Sequence, residues 1–130
     1  MSSLSKILIS VLVIMALIIF AGILINNRLS TTAQTMENYL NIVEQHTSNK
    51  NWSQSQNEFT RVMQYWDELE KSWTIMANHT DIDEISTSLN RIKKLIDLKE
   101  SSMVLSELYV LKELVRNVPQ KEKLTLNNIL

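Results

Sequence analysis

The stretch Ile7–Ile25, ILISVLVIMALIIFAGILI, holds nineteen consecutive residues without a charge and with a single hydroxyl, that of Ser10. Fourteen of the nineteen are Ile, Leu, Val or Phe. At about −0.3 to −0.6 kcal/mol each, they favour membrane insertion by about 6 kcal/mol. A helix of this length rises roughly 28 Å, which matches a hydrocarbon core of about 30 Å. The sequence therefore predicts a transmembrane helix, with the anchor residues Ile7, Leu12, Leu17, Phe20 and Ile25.

A cleaved signal peptide is the alternative to a retained anchor. The apolar region of a signal peptide usually runs about 7 to 15 residues and is followed by small residues at the cut. Here the run is longer and ends in Ile-Asn-Asn, which favours retention. Lys6 and the amino terminus precede the span, whereas only Arg28 follows it closely. The positive-inside rule thus predicts a single-pass protein of the cell membrane, with a cytoplasmic leader at 1–6, a signal anchor at 7–25 and an extracytoplasmic C-terminal domain.

The composition of the chain is that of a helical protein. It has one glycine, inside the anchor, and one proline, Pro119, whereas a sheet protein of this size needs several turn residues. We expect an all-α fold in which a compact antiparallel bundle of about four helices at 29–118 follows the anchor. A C-terminal tail is expected at 119–130. The absence of cysteine excludes disulfides, thiolate metal sites, a cysteine nucleophile and a lipid-modified cysteine.

The net charge of −1 conceals an uneven distribution of charge along the chain. Residues 29–90 carry three basic and nine acidic side chains, whereas residues 91–130 carry eight basic and five acidic ones. These two parts should attract each other within one fold. Neither part has the basic excess of a nucleic-acid-binding protein, so no nucleic-acid partner is expected.

The first bundle helix is predicted to follow the anchor directly. Apolar residues recur at the spacing of a helix with one buried face, and no helix breaker separates them from the anchor. The helix can therefore continue out of the membrane, with Asn26–Arg28 at the headgroups. The polar stretch Gln45–Lys50 predicts the first loop, after which Asn51 is a candidate N-cap with Gln54 positioned for a capping box. The apolar positions are Leu29, Ala33, Met36, Leu40 and Val43.

A row of aromatic residues is the most informative feature outside the anchor. Its members, Trp52, Phe59, Trp66 and Trp73, lie seven residues apart and share one face of a helix. Val62, Leu69 and Met76 follow the last three at a spacing of three residues, which completes the two-position seam typical of bundles. Core packing is favoured over a ligand-stacking surface, because a ligand cage has no reason to repeat along so many turns.

Two further helices are predicted in the second half of the chain. The polar break Asn78–Asp81 offers Thr80 or Asp81 as N-cap. A tight turn near Lys99–Ser102 competes with one continuous helix over 82–118. Pro119 is expected to end the helical run. The two apolar stripes are Ile82, Ile85, Leu89, Ile92 and Ile96, and then Val104, Leu108, Leu111, Val115 and Val118. In the tail, Leu124, Leu126, Ile129 and Leu130 are apolar enough to fold back on the bundle.

Residue patterns for catalysis or for cofactor binding are not found. His46 and His79 fall on two different predicted loops, without a second ligand at metal spacing. The acidic groups at 67–70 and 81–84 lack the spacing of a calcium loop, and the only glycine lies in the anchor, so a phosphate loop is excluded. We therefore expect a protein that is not an enzyme, with no catalytic, metal or cofactor-binding residues.

The order of anchor, aromatic heptad helix, the segment His79–Ile85 and a closing Asn128-Ile129-Leu130 resembles a family of small, uncharacterised single-span proteins of spore-forming Gram-positive bacteria. The resemblance implies an extracytoplasmic helical domain beside a larger multi-span membrane protein, and it supplies no catalytic residues. The expected function is that of an interaction module, an accessory subunit whose partners are membrane lipid and another membrane protein. The alternative is a structural coiled-coil element of a division or lysis machinery. The oligomeric state, the partner's identity and the process are left open.

Overall fold

The computed structural model describes residues 2–129, which form four helices and no strand. The predicted all-α fold is confirmed. Leu130 and the side chains of Leu126 and Ile129 lie outside the described residues, and so does the prediction that these three fold back on the bundle. The helices are α1 (Ser3–Ser48), α2 (Trp52–Met76), α3 (His79–Asp97) and α4 (Ser101–Ile129).

Helix α1 is a single rod of 46 residues, roughly 69 Å long at 1.5 Å per residue. Ser2 caps it, since the Ser2 side chain accepts a hydrogen bond from the Ser5 backbone N–H. As the lack of a breaker after Ile25 indicated, the helix runs from the apolar stretch into the bundle without interruption. Its two parts differ in burial, because every buried residue of α1 lies between Leu29 and Thr47.

The four helices form a closed bundle. Helix α1 packs against α2 and α4, and α3 packs against the same two helices from the opposite corner. Connections of two or three residues join consecutive helices, which places them antiparallel. The ends of α2 and α4 therefore lie near the point where the apolar part of α1 leaves the bundle.

The core follows the predicted stripes. All five apolar positions predicted for α1, and all ten predicted for α3 and α4, are buried in one continuous cluster. In α2 the seam residues Val62 and Leu69 are buried, whereas Met76 at the helix end is only partly buried. The face that each helix turns to the core is thus the face that the spacing of its apolar residues predicted.

Two helix ends use lysine in the left-handed conformation. Lys50 has φ 57° and Lys99 has φ 56°. After α3, the Lys99 N–H donates to the Ile96 carbonyl at 3.0 Å and the Glu100 N–H donates to the Leu95 carbonyl at 3.1 Å, which is a Schellman motif. The same pair of bonds closes α1, from Lys50 and Asn51. Residues 82–118 are therefore two helices, and the first loop is shorter than predicted, since α1 extends to Ser48 and includes His46.

Replacing Lys99 by glycine should stabilise the bundle by about 0.5–1 kcal/mol, because the Cβ atom of lysine clashes with the backbone in this conformation and glycine has none. Urea denaturation of the detergent-solubilised chain measures the change. Lys99→Ala is the matched control, since it removes the long side chain but keeps the Cβ atom. Equal stability of the two variants would contradict the assignment of strain to this position.

Two predictions about helix N-caps were wrong or incomplete. The N-cap of α3 is Asn78, whose side chain accepts from the Thr80 N–H at 2.8 Å, and neither Thr80 nor Asp81 has this role. Asn51 does precede α2, but among the described residues its side chain makes no capping hydrogen bond.

Pro119 does not end the last helix, which continues to Ile129, so residues 120–129 are helical and do not form a separate tail. A proline inside a helix costs about 3 kcal/mol. Here Val118 and Pro119 are buried in the bundle. Tertiary packing thus overrides the local preference to stop.

Candidate functional site: the apolar end of helix α1 and its junction with the bundle

The apolar part of α1 lies outside the bundle. Its best 18-residue window has a mean hydropathy of 3.2, and none of that window is buried. Among the described residues, α1 is the one helix long and apolar enough to cross a membrane, a property that a signal sequence shares. The predicted anchor residues Ile7, Leu12, Leu17, Phe20 and Ile25 are all exposed along this part of the helix.

The polar groups of this segment are satisfied within the helix. The Ser10 hydroxyl donates to the Lys6 carbonyl at 2.9 Å, so the single side-chain hydroxyl between Ile7 and Ile25 has an internal partner. A backbone in hydrocarbon must satisfy its hydrogen bonds internally, and an unbroken helix does so. The segment therefore meets the chemical requirement for a lipid environment as well as the length requirement.

A junction ties α1 to α4 where the apolar segment ends. The Asn26 side-chain N–H donates to the Pro119 carbonyl at 3.0 Å. Asn26 also lines a groove of about 220 Å³, together with Gly22, Ile25 and the ends of α2 and α4. The last turns of α4 thus run beside the last apolar turn of α1, and the hydrogen bond from Asn26 joins the two helices there.

The Asn26→Ala variant should lose about 0.5–1.5 kcal/mol of stability, the typical net contribution of one hydrogen bond. The loss is expected to be local, since the Asn26 side chain holds α4 at Pro119, just before residues 120–129. Hydrogen exchange should therefore become faster in residues 120–129 and remain unchanged in α3. Asn27→Ala, at an exposed position one residue away, is the control and should leave both segments unaffected.

The aromatic row lies between α1 and α3. Phe59, Trp66 and Trp73 are buried, and Trp52 is partly buried against the same cluster. The Trp66 and Trp73 rings meet edge to face with centroids 5.8 Å apart. A buried indole N–H needs an acceptor, and these two donate to Ser86 Oγ at 3.0 Å and to Thr32 Oγ1 at 2.9 Å. The row therefore fastens α2 to α3 and α1, and most of its surface is closed to a ligand.

Ion pairs connect α4 to its neighbours. Lys112 pairs with Glu44, Arg116 with Glu37, and Lys121 with Asp81 at 2.9 Å. Each pair joins the basic second part of the chain to the acidic first part, as the uneven charge distribution predicted. A hydrogen bond to Glu37 raises the pKa of Arg116, and one to Asp81 raises the pKa of Lys121. Pairs near the surface contribute little stability individually, but these three join α4 to α1 and to α3.

The two histidines lie at opposite ends of the bundle. His46 is in the last turn of α1, and His79 is the first residue of α3. The prediction that both lie in loops was therefore wrong. Within residues 2–129, no group of three His, Asp or Glu side chains could hold a metal ion. Of the acidic residues at 81–84, Asp81 is engaged by Lys121.

Several apolar residues outside the apolar stretch are exposed, although the sequence did not single them out, and the prediction that Leu124 folds back on the bundle is wrong, since Leu124 is exposed as well. Ile75 is 88% exposed at the end of α2, and Leu124 is 62% exposed on the last turns of α4. On the outer face of α4, Met103, Tyr109 and Val110 are also exposed. The sequence did contain a signal for their exposure, because none of the five belongs to the periodic apolar stripe that each helix turns to the core.

The fold and the junction define an all-α bundle continuous with a helix that can serve as a membrane anchor. Comparison with protein families gives the particular identity: a domain of unknown function, DUF4363, matches residues 23–129. The chain belongs to this family, and the matched region comprises the whole bundle and the last apolar residues of the anchor. Comparisons with curated proteins and with solved structures give no match.

Proposed function

We propose that the protein is a single-pass membrane protein that holds its helical bundle at the extracytoplasmic surface, where it binds a membrane or envelope protein as an accessory subunit. The observation that carries the proposal is the continuity of α1. One half of this helix is apolar and lies outside the bundle, and the other half contributes the buried apolar stripe that begins at Leu29 and ends at Val43. Because no flexible linker intervenes, the bundle presents a fixed set of faces to neighbours in the membrane.

The proposed orientation rests on charge. Lys6 precedes the apolar stretch, and Arg28 is the one basic residue that follows it closely, so the positive-inside rule favours a bundle on the outer side. The origin of the protein in a spore-forming Gram-positive bacterium stays a prediction from the sequence resemblance.

The outer face of α4 is the best candidate for the docking surface. Met103 and Val110 are seven residues apart and so share a side of the helix, and Tyr109 lies about 100° further around it. Tyrosine and methionine are enriched at protein interfaces. Beside this face, between α3 and α4, runs a groove of about 420 Å³ to which Val110 and Leu114 contribute apolar surface. The aromatic row is committed to the core, so α4 offers a recognition surface that does not disturb the fold.

Photo-crosslinking in the native membrane tests this function. A benzophenone amino acid at Tyr109 should give one discrete adduct with a membrane or envelope protein, and the adduct should disappear in a Met103→Asp, Val110→Asp background. The same amino acid at Gln64, an exposed polar position on α2, is the control and should give none. Equal adducts from both positions, or none from Tyr109, would contradict the assigned face.

The alternative function, a structural coiled-coil element of a division or lysis machinery, requires a long heptad rod far from the membrane. In the described part of the chain, the helices beyond the anchor fold back on one another into a closed bundle. This arrangement favours the interaction module.

A further inference from the structure

The end of the bundle nearest the anchor carries exposed apolar side chains. Among the large apolar side chains that the structure describes, Ile75 at the C-terminal end of α2 has the largest exposed fraction, 88%. Leu124 on α4 is 62% exposed. Neither contributes to the core, and neither lies on the α4 face proposed above for a protein partner. A protein bound to that face of α4 would therefore not cover these two side chains.

The position of these side chains beside the apolar stretch of α1 indicates what covers them. The groove beside Gly22 and Ile25 is lined by Ile75 and Met76 of α2 and by Thr125 of α4. The ends of both helices are thus level with the last apolar turn of α1. If Gly22 and Ile25 lie at the boundary of the hydrocarbon, Ile75 lies at the same boundary.

Helix geometry places Leu124 slightly deeper. Asn26 is hydrogen-bonded to Pro119, and Leu124 lies five residues beyond Pro119 in the direction of the anchor's N-terminus. At 1.5 Å per residue, this is about 7.5 Å past the level of Asn26. Leu124 is therefore on the side of Asn26 that faces the apolar stretch of α1.

We propose that Ile75 and Leu124 insert into the interfacial region of the bilayer, so that the bundle rests on the lipid surface at two points besides the anchor. The inference rests on the proposed membrane anchoring and deepens it, because it names lipid as the partner of this end of the bundle. With α1 fixed in the membrane and two further contacts beside it, the bundle stands at one angle and keeps the outer face of α4 turned to the side.

The charges at this end favour a contact driven by apolar burial and not by attraction to anionic lipid. Arg28 and Lys123 are exposed cations, but Lys121 is paired with Asp81. Glu122 adds a carboxyl group whose pKa is raised, first by burial and then by the charge of Asp81. Because acidic and basic groups alternate, insertion of the two apolar side chains should persist in high salt, which screens electrostatic attraction.

Site-directed fluorescence in liposomes tests the inference, and the absence of native cysteine makes single labelling sites straightforward. The full chain is reconstituted in phosphatidylethanolamine–phosphatidylglycerol vesicles with a polarity-sensitive dye on Ile75→Cys or Leu124→Cys. Quenching by lipids with a spin label near the headgroup should be several-fold stronger at both positions than at Met103→Cys, an exposed site at the far end of α4. The difference should remain in high salt.

A label on Leu17→Cys in the anchor separates the inference from the function on which it rests. If position 17 is quenched and positions 75 and 124 behave like position 103, the anchor stands and the lipid contact is overturned. Quenching at only one of positions 75 and 124 overturns the two-point contact. If position 17 itself is not quenched by lipid, the membrane anchoring and the inference both fail.

Discussion

Trp66→Ala should lower the free energy of unfolding of the bundle by about 3–5 kcal/mol, the usual cost of removing a buried aromatic side chain. Trp66 is 2% exposed, packs edge to face on Trp73 and donates its indole N–H to Ser86. Truncation leaves a cavity and breaks a contact between α2 and α3. Because domains of this size have about 5–15 kcal/mol of stability in all, the variant should be close to unfolding at ambient temperature.

The measurement is urea denaturation of the detergent-solubilised chain, followed by far-ultraviolet circular dichroism so that the loss of tryptophan fluorescence does not matter. Trp52→Ala is the matched control, since Trp52 belongs to the same sequence row but is only partly buried. It should cost clearly less than Trp66→Ala. A loss below about 1 kcal/mol for Trp66→Ala would assign the row to a binding surface instead of the core.

The double variant Leu12→Arg, Leu17→Arg should abolish membrane insertion. An arginine at the centre of a span costs about 2.5–3.5 kcal/mol, whereas each leucine contributes about −0.3 to −0.6 kcal/mol. Two substitutions thus change the insertion free energy by about 6–8 kcal/mol, as much as the whole apolar stretch provides. Both residues are exposed and distant from the bundle core, so the bundle itself should still fold.

Alkaline carbonate extraction of cell membranes measures the effect. The wild-type chain should stay in the membrane pellet, and the double-arginine variant should be released or degraded. The control Leu12→Val, Leu17→Val keeps the apolar character at the same positions and should behave like the wild type. Retention of the arginine variant in the pellet would show that the bundle, and not the apolar segment, binds the membrane.

The periodic parts of the fold could be predicted from the sequence because burial selects residues by their spacing. Leu29 to Val43 on α1, and the stripes that begin at Ile82 and Val104, were identified by period alone, and all are buried. The helix boundaries were less predictable. Lys50 and Lys99 end their helices in a conformation usually reserved for glycine, and no local residue preference indicates a stop at lysine.

Pro119 shows the opposite failure, since a strong local stop signal is overridden. The residue is buried against the bundle, and its carbonyl accepts a hydrogen bond from Asn26, 93 positions earlier in the chain. Such a contact depends on the closed arrangement of α1 and α4 and cannot be derived from the sequence around the proline.

The candidate site also has one part that could be predicted from the sequence and one part that could not. The long apolar helix could be predicted because it depends on composition and length, both of which are local; its retention as a membrane anchor stays a prediction. The exposed residues Ile75 and Leu124 could not be predicted as a pair, because they lie on different helices and meet at one end only after the bundle has closed. The acceptors for the buried indoles, Ser86 and Thr32, are likewise ordinary hydroxyl residues until the fold brings them within reach.

Everything proposed for the bundle depends on retention of the apolar segment, which intact-mass spectrometry of the protein extracted from cells can establish. Carbonate-washed membranes should contain the chain with residues 7–25 still attached. A freely soluble mature species that begins after Ile25, with none of the longer chain in the membrane, would contradict it.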